Sequence, residues 1–234
     1  MSNSSCAISA FMITMHKFDS LHKLRSHIEE GNRNVGNFLK EKENTELNAN
    51  SFGTFVKEYE HLKGQEQSGS KFSERIFAYW IMRELEEGVT LTLHEKIEIS
   101  PIAEGTSKGL EASVPKVIDY FINGKDNAGV FIELKKNIDN IEKDLYKFYL
   151  MKKSKYSDSN TVLLIWENED HWKDRKSGNL SQYAILLEDA EYYRILDRHF
   201  YLSNTDTSKR RTDDITRRLE DQISKLKKFL KQSI

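Results

Sequence analysis

Asp119, Glu133 and Lys135 are the residues of this sequence whose types and spacing could do chemistry. Glu133-Leu134-Lys135 is the one Glu-x-Lys triplet in a chain that carries 36 Lys and Arg against 37 Asp and Glu. It closes the run GVFIELKK, and a second run, VIDYFI, precedes it across the turn-rich NGKDNAG. Both runs have strand character, so the spacing predicts a hairpin of Val117 to Ile122 with Val130 to Lys136. Alternate residues of a strand share a face, which puts Glu133 and Lys135 on one side, about 7 Å apart. If Phe121 pairs with Phe131, Asp119 lies opposite Glu133 on that same side. A slip of one residue would turn the apolar set Ile118, Ile122, Val130, Ile132 and Leu134 to the wrong face, so the register favours this pairing.

Two facing carboxylates repel each other and desolvate poorly unless a cation sits between them. A hard divalent ion bound by oxygen is the usual solution, and Mg²⁺ is the natural candidate. Such an ion polarises a phosphoryl oxygen and acidifies a water, while Lys135 positions that water or stabilises charge at the attacked phosphate. The set is therefore suited to phosphodiester hydrolysis. The same three residues also fit an ordinary cross-strand salt-bridge cluster on a solvated face. The single Asp-x-Lys triplet, Asp174-Arg175-Lys176, falls in a polar loop without strand character.

Several elements must position these residues. Phe18 to Lys42 reads as helical with an interruption near Gly31, and a second short helix is expected over Phe55 to Leu62. GQEQSGS, residues 64–70, is a polar hinge. Ser70 or Ser73 can cap a helix that ends at Gly88. Its stripe of Phe77, Ala78, Ile81 and Leu85 extends back one turn to Glu74, which is thereby turned toward the sheet. Val89 to Ile99 alternates as a strand. An amphipathic helix follows the hairpin at Ile138 to Lys153, and the wholly apolar TVLLIW, residues 161–166, is expected as a strand buried on both faces. Tyr183 to Leu187 is a further strand candidate, and Asp213 to Lys231 an amphipathic helix. The order predicts an α/β fold with a mixed central sheet between helices. The expected organisation is a disordered leader over 1–15, a small N-terminal helical subdomain over 16–62, the core over 70–202 and a basic C-terminal helix over 208–234.

Asp119 followed by Glu133-Leu134-Lys135, a helix and an apolar strand resembles the PD-(D/E)xK nuclease superfamily, which includes most type II restriction endonucleases. The likeness covers roughly residues 72–166, although Pro115 stands four residues before Asp119 rather than beside it. The resemblance implies a restriction-endonuclease-like core in which Asp119, Glu133 and the Leu134 carbonyl hold Mg²⁺ and Lys135 is catalytic. In many members an acidic residue of the preceding helix joins them, as Glu74 is placed here. A chain of this size without a motor resembles a type II restriction endonuclease, which implies sequence-specific cleavage of double-stranded DNA, a homodimer and a cognate methyltransferase. The alternatives are another nuclease of the same superfamily, acting in repair, transposition or defence, and a non-catalytic DNA-binding module.

The remaining sequence bounds this reading. A net charge of −1 carries no global signature of nucleic-acid binding, so contact with phosphate must come from local clusters. Residues 208–234 hold nine Lys or Arg against four acids. Lys136, Lys173, Arg175, Lys176, Arg210 and Arg211 are the candidate DNA contacts, with a solvated basic face as the plainer account. One cysteine, Cys6, excludes an intramolecular disulfide and a multi-thiolate zinc site, and fits a reducing cytoplasm. The apolar stretch Cys6 to Met15 lacks a basic flank and is too short to span a bilayer. GQEQSGSK falls one residue short of a phosphate-binding loop, since Ser70 separates Gly69 from Lys71 and no strand precedes it. The histidines show no zinc spacing.

Overall fold

The computed structural model describes residues 15–31, 33–42, 77–83, 85, 89–99, 116–123, 129–135, 141–165, 179–201 and 212–234. The six strands are β1 (His16–Phe18), β2 (Thr90–Lys96), β3 (Val117–Asn123), β4 (Gly129–Lys135), β5 (Asn160–Ile165) and β6 (Arg198–Tyr201). They form one sheet in sequence order. β1 to β4 are antiparallel neighbours, while β4, β5 and β6 run parallel. The described helices are α1 (Leu21–Gly31), α2 (Arg33–Glu41), α3 (77–83), α4 (Ile141–Lys152), α5 (Asn179–Tyr192) and α6 (Thr212–Ser233). The expected α/β class with a mixed sheet between helices is therefore observed. The parallel steps follow from connectivity, because a parallel neighbour needs a crossover, and α4 and α5 supply the two.

The sheet carries a core on each face. On one, Leu24, Ile28, Val35 and Leu39 of α1 and α2, with Leu226 and Leu230 of α6, cluster with Leu91, Tyr120, Ile132 and Leu164. Phe77, Ala78, Tyr79, Trp80, Ile81 and Met82 of α3 are all buried in that cluster, so this helix is apolar all round rather than striped. On the other face, Ile141, Leu145 and Phe148 of α4 and Leu187 and Ala190 of α5 cluster with Phe131, Leu163 and Ile165.

The structure differs from the sequence reading in three places. The segment expected as a helical subdomain over 16–62 opens with β1, which pairs with β2, and α1 and α2 share the main core. The expected strand over Tyr183 to Leu187 lies inside α5. Its apolar run is too short to tell strand from helix by pattern, and Leu187 and Ala190 one turn further on define the helical face instead. Ile118 and Ile122, expected on one face, belong to different cores, as do Leu93 on β2 and Ile97 just beyond its end. The change of face falls at His94 and Asp119, which would be partners in the β2–β3 register but are the one pair missing from it. His94 there adopts φ 56°, a conformation rare outside glycine. Residues 1–14 of the expected leader, the helix at Phe55 to Leu62, Glu74 and the loop bases Lys136, Lys173, Arg175, Lys176, Arg210 and Arg211 all lie outside the described residues.

Two close approaches rest on glycine. A Cβ on Gly36 of α2 would meet Glu29 of α1 at 2.8 Å from its Cα, so backbone rather than a movable side chain is in the way. Gly129 lies under the Phe121 ring, which stacks on Phe131 at 4.4 Å. Alanine normally favours a helix over glycine by about 1 kcal/mol. Gly36→Ala is nonetheless expected to destabilise by about 1–3 kcal/mol, because the two helices must part. Urea titration reads the sign directly, and a gain in stability would contradict this packing.

Candidate active site

β3, β4 and α4 position the site. Phe121 pairs with Phe131, the register that the alternation predicted, and regular pairing stops at Tyr120 with Ile132. Beyond that point side chains take over from the ladder. The Leu134 amide donates to Asp119 Oδ2 at 2.8 Å, and the Asp119 amide lies 3.4 Å from Glu133 Oε2. Asp119 and Glu133 are thus brought together at the end of the hairpin, beside the break in the β2–β3 ladder.

Two residues that the sequence reading did not single out complete the cluster. Lys147 of α4 is fully buried, and its ammonium donates to Glu133 Oε1 at 2.8 Å and to the Val117 carbonyl at 3.0 Å. Asp144, one turn earlier, pairs with Lys135 at 2.7 Å and lies 3.7 Å from Lys147 Nζ. From sequence, Asp144 falls at the edge of the stripe of Ile141, Leu145 and Phe148, and Lys147 one turn further along at i+3 from it. The one available signal was their position on the turn after Ile141, whose side chain is in the core.

The cluster holds three carboxylates, Asp119, Glu133 and Asp144, against two ammonium groups, Lys135 and Lys147, and is one charge short of neutrality when all are ionised. Glu133 absorbs the imbalance. Burial, aided by the charges of Asp119 and Asp144 and opposed by Lys147, pushes its carboxyl up to about 8. Lys135 moves the other way in consequence. Partial burial disfavours its ammonium, but Asp144 foremost, then Glu133 and Asp119, outweigh that and hold it above the usual lysine range. Lys135 is therefore a fixed cation and hydrogen-bond donor at neutral pH rather than a base.

The donor set suits a hard cation. Among the described residues no group of three or more His, Cys, Asp or Glu side chains is gathered closely enough to hold a metal ion. Mg²⁺ does not need three, since it is commonly held by one or two carboxylates and keeps several waters. Asp119, Glu133 and the Leu134 carbonyl would supply such a set, and a divalent ion would replace the proton that the excess negative charge otherwise draws to Glu133. Compared with family models, with curated proteins and with solved structures, the chain finds no match in any of the three.

Glu133 has a definite signature in stability. Its folded value of about 8 stands above its ordinary 4.5, so between these values the folded state keeps a proton that the unfolded chain has lost. Stability contributed by Glu133 therefore falls as pH rises through this window and is level above it. Glu133→Gln mimics the protonated form. Without divalent ions, its unfolding free energy relative to wild type, read by urea titration, is expected to climb from pH 5 to pH 8, reaching a gain of roughly 1–3 kcal/mol. A difference that does not change with pH would show Glu133 to titrate normally.

Proposed function

We propose that this chain is a Mg²⁺-dependent nuclease with a restriction-endonuclease-like core, cleaving double-stranded DNA by phosphodiester hydrolysis. The observation that carries the reading is the meeting of Asp119, Glu133 and Lys135 in a buried cluster one charge short of neutral. The succession of α3, β2, β3, β4, α4 and β5 around them agrees with the resemblance to the PD-(D/E)xK superfamily and supports the same reading.

In this reading Asp119 and Glu133 would hold Mg²⁺ with the Leu134 carbonyl, and Glu74 would complete the set. The ion's contribution, when bound, is Lewis-acid polarisation of the phosphodiester. Lys147 fixes Glu133 by its Oε1 and so leaves Oε2, the oxygen nearer Asp119, as the one presented. Lys135, charged at neutral pH, donates to the attacking water or to the phosphate oxygens. Asp144 aims it through their 2.7 Å ion pair. Lys136, Lys173, Arg175, Lys176, Arg210 and Arg211 are the proposed contacts to the DNA backbone.

Within this class the proposal is a type II restriction endonuclease of the cytoplasm, acting as a homodimer whose two sites address the two strands, with a cognate methyltransferase protecting the host. Among the described residues no helix is long and apolar enough to cross a membrane.

Plasmid DNA incubated with Mg²⁺, beside an EDTA control, tests the reading. Discrete fragments are expected for restriction, whereas a smear would move the protein to a non-specific nuclease of the same chemistry. Lys135→Ala should lower the rate by about 100-fold or more. Asp144→Asn should lower it by about 10-fold to 100-fold. DNA left intact by wild type with Mg²⁺, Mn²⁺ and Ca²⁺ alike would overturn the catalytic claim and leave the cluster a structural one.

A further inference from the structure

A cleft of about 920 Å³ opens where β6, the last turn of α5 and α6 meet. None of the residues of the candidate active site lines it. Its chemistry is divided by position. Arg194, Arg198, Lys225 and Lys228 bring four cations to the wall. Phe200 and Phe229 bring an aromatic pair, their centroids 6.0 Å apart at 60°. Gln222 and Gln232 bring amides that both donate and accept.

The carboxylates of the cleft are already committed to the protein. Glu191 accepts from the His199 amide at 2.8 Å and lies 2.7 Å from the His199 Nδ1. Asp197 accepts from Lys152 at 2.8 Å and from the Thr161 amide at 2.7 Å. The cations are committed far less. Arg198 stands 3.6 Å from Glu191 with its side chain 58% exposed. Among the described residues Lys225 pairs with Asp221, an exposed i,i+4 contact of the kind worth a few tenths of a kcal/mol and readily exchanged. Arg194 and Lys228 have no carboxylate partner among the described residues. The cleft thus offers positive charge outward and keeps its negative charge inward.

The arrangement is built rather than accidental on two counts. Leu226 and Leu230 anchor α6 in the core, and the adjoining stripe at residues 222, 225, 229 and 232 follows helical spacing along the cleft. Arg194 stands two residues beyond α5 with φ 55°, where the Ile195 and Leu196 amides both return to the Ala190 carbonyl. Glycine is the usual residue at that left-handed helix end, and a larger one costs about 1 kcal/mol. An arginine in its place spends stability on a cation at the mouth of the cleft.

We propose that this cleft binds a nucleotide-sized phosphorylated ligand, with the four cations on its phosphates and the Phe229 and glutamine wall against its ring. The volume lies in the range of ligand clefts, which run from about 300 to 1,000 Å³. Planar rings bind aromatic side chains whatever the base, while amides read polar edges. A cleft of this volume suits a single nucleotide better than the convex backbone of a duplex. This inference does not depend on the nuclease reading.

Calorimetric titration in EDTA tests it, with ADP, GDP, CDP and UDP as probes and with adenosine, pyrophosphate and a duplex oligonucleotide beside them. At least one diphosphate is expected to bind saturably with a Kd well below about 1 mM, and adenosine and pyrophosphate each at least about tenfold more weakly. Arg194→Gly relieves the left-handed strain, so it should hold or raise the melting temperature while weakening the nucleotide by about tenfold, a combination that misfolding cannot give. Lys228→Ala should act likewise on binding, and Lys231→Ala, outside the cleft, should not. Binding should persist in Glu133→Gln, which separates this site from the candidate active site. Saturation by no diphosphate overturns the proposal. So does binding of the duplex alone, pyrophosphate bound as tightly as the nucleotides, or affinity unmoved by Arg194→Gly and Lys228→Ala.

Discussion

The arrangement depends on one buried ammonium group. Lys147 has no exposure, and it reaches from α4 to two places on the hairpin at once, the Glu133 carboxylate and the Val117 carbonyl. An ammonium taken out of water costs several kcal/mol unless it is paired and fully hydrogen-bonded. The contacts that offset this cost fix where α4 lies along β3 and β4. They also fix which oxygen of Glu133 is held, and through Asp144 they fix Lys135. A crossover helix would pack on a parallel sheet by Ile141, Leu145 and Phe148 alone, but those apolar contacts tolerate sliding. The charge contacts do not.

The second constraint is the break at His94 and Asp119. A strand that alternated regularly would keep Ile118 on the same face as Tyr120 and Ile122. Here Ile118 goes to the α4 core and the other two to the opposite one. The same change occurs across from it, between Leu93 on β2 and Ile97 just beyond its end, at the cost of a left-handed backbone on His94. Asp119 sits where both ladders lapse, so its carboxylate can take the Leu134 amide. Strain of this kind persists where the surroundings over-determine it, and such places are often sites of chemistry.

Much of this was readable in the residues. The pairing of Phe121 with Phe131 follows from alternation and a single apolar register, and the strand through Thr161 to Ile165 from its unbroken apolar run. The helix–strand–strand–strand–helix–strand order was likewise visible. What could not be read has physical reasons. Lys147 carries the pattern of a surface lysine, and only a tertiary partner explains its burial. The break at Asp119 has no local signal, because nothing in the side chain of His94 announces a left-handed backbone. β1 is three residues long and gains its strand conformation from β2, so no periodicity could reveal it. The helix over Tyr183 to Leu187 failed as a strand because four or five apolar residues suit either form.

Among the described residues β6 ends the sheet, and its outward side is not bare. Glu191 holds the His199 amide there with a carboxylate that burial alone would have raised but that His199 keeps below the ordinary glutamate value. An incoming strand would have to compete with an ionised group for the His199 amide. Joining two copies of this chain by running their sheets together is made costlier at this margin. At this margin a partner meets a side-chain carboxylate as well as backbone, so charge and shape share in what can dock there.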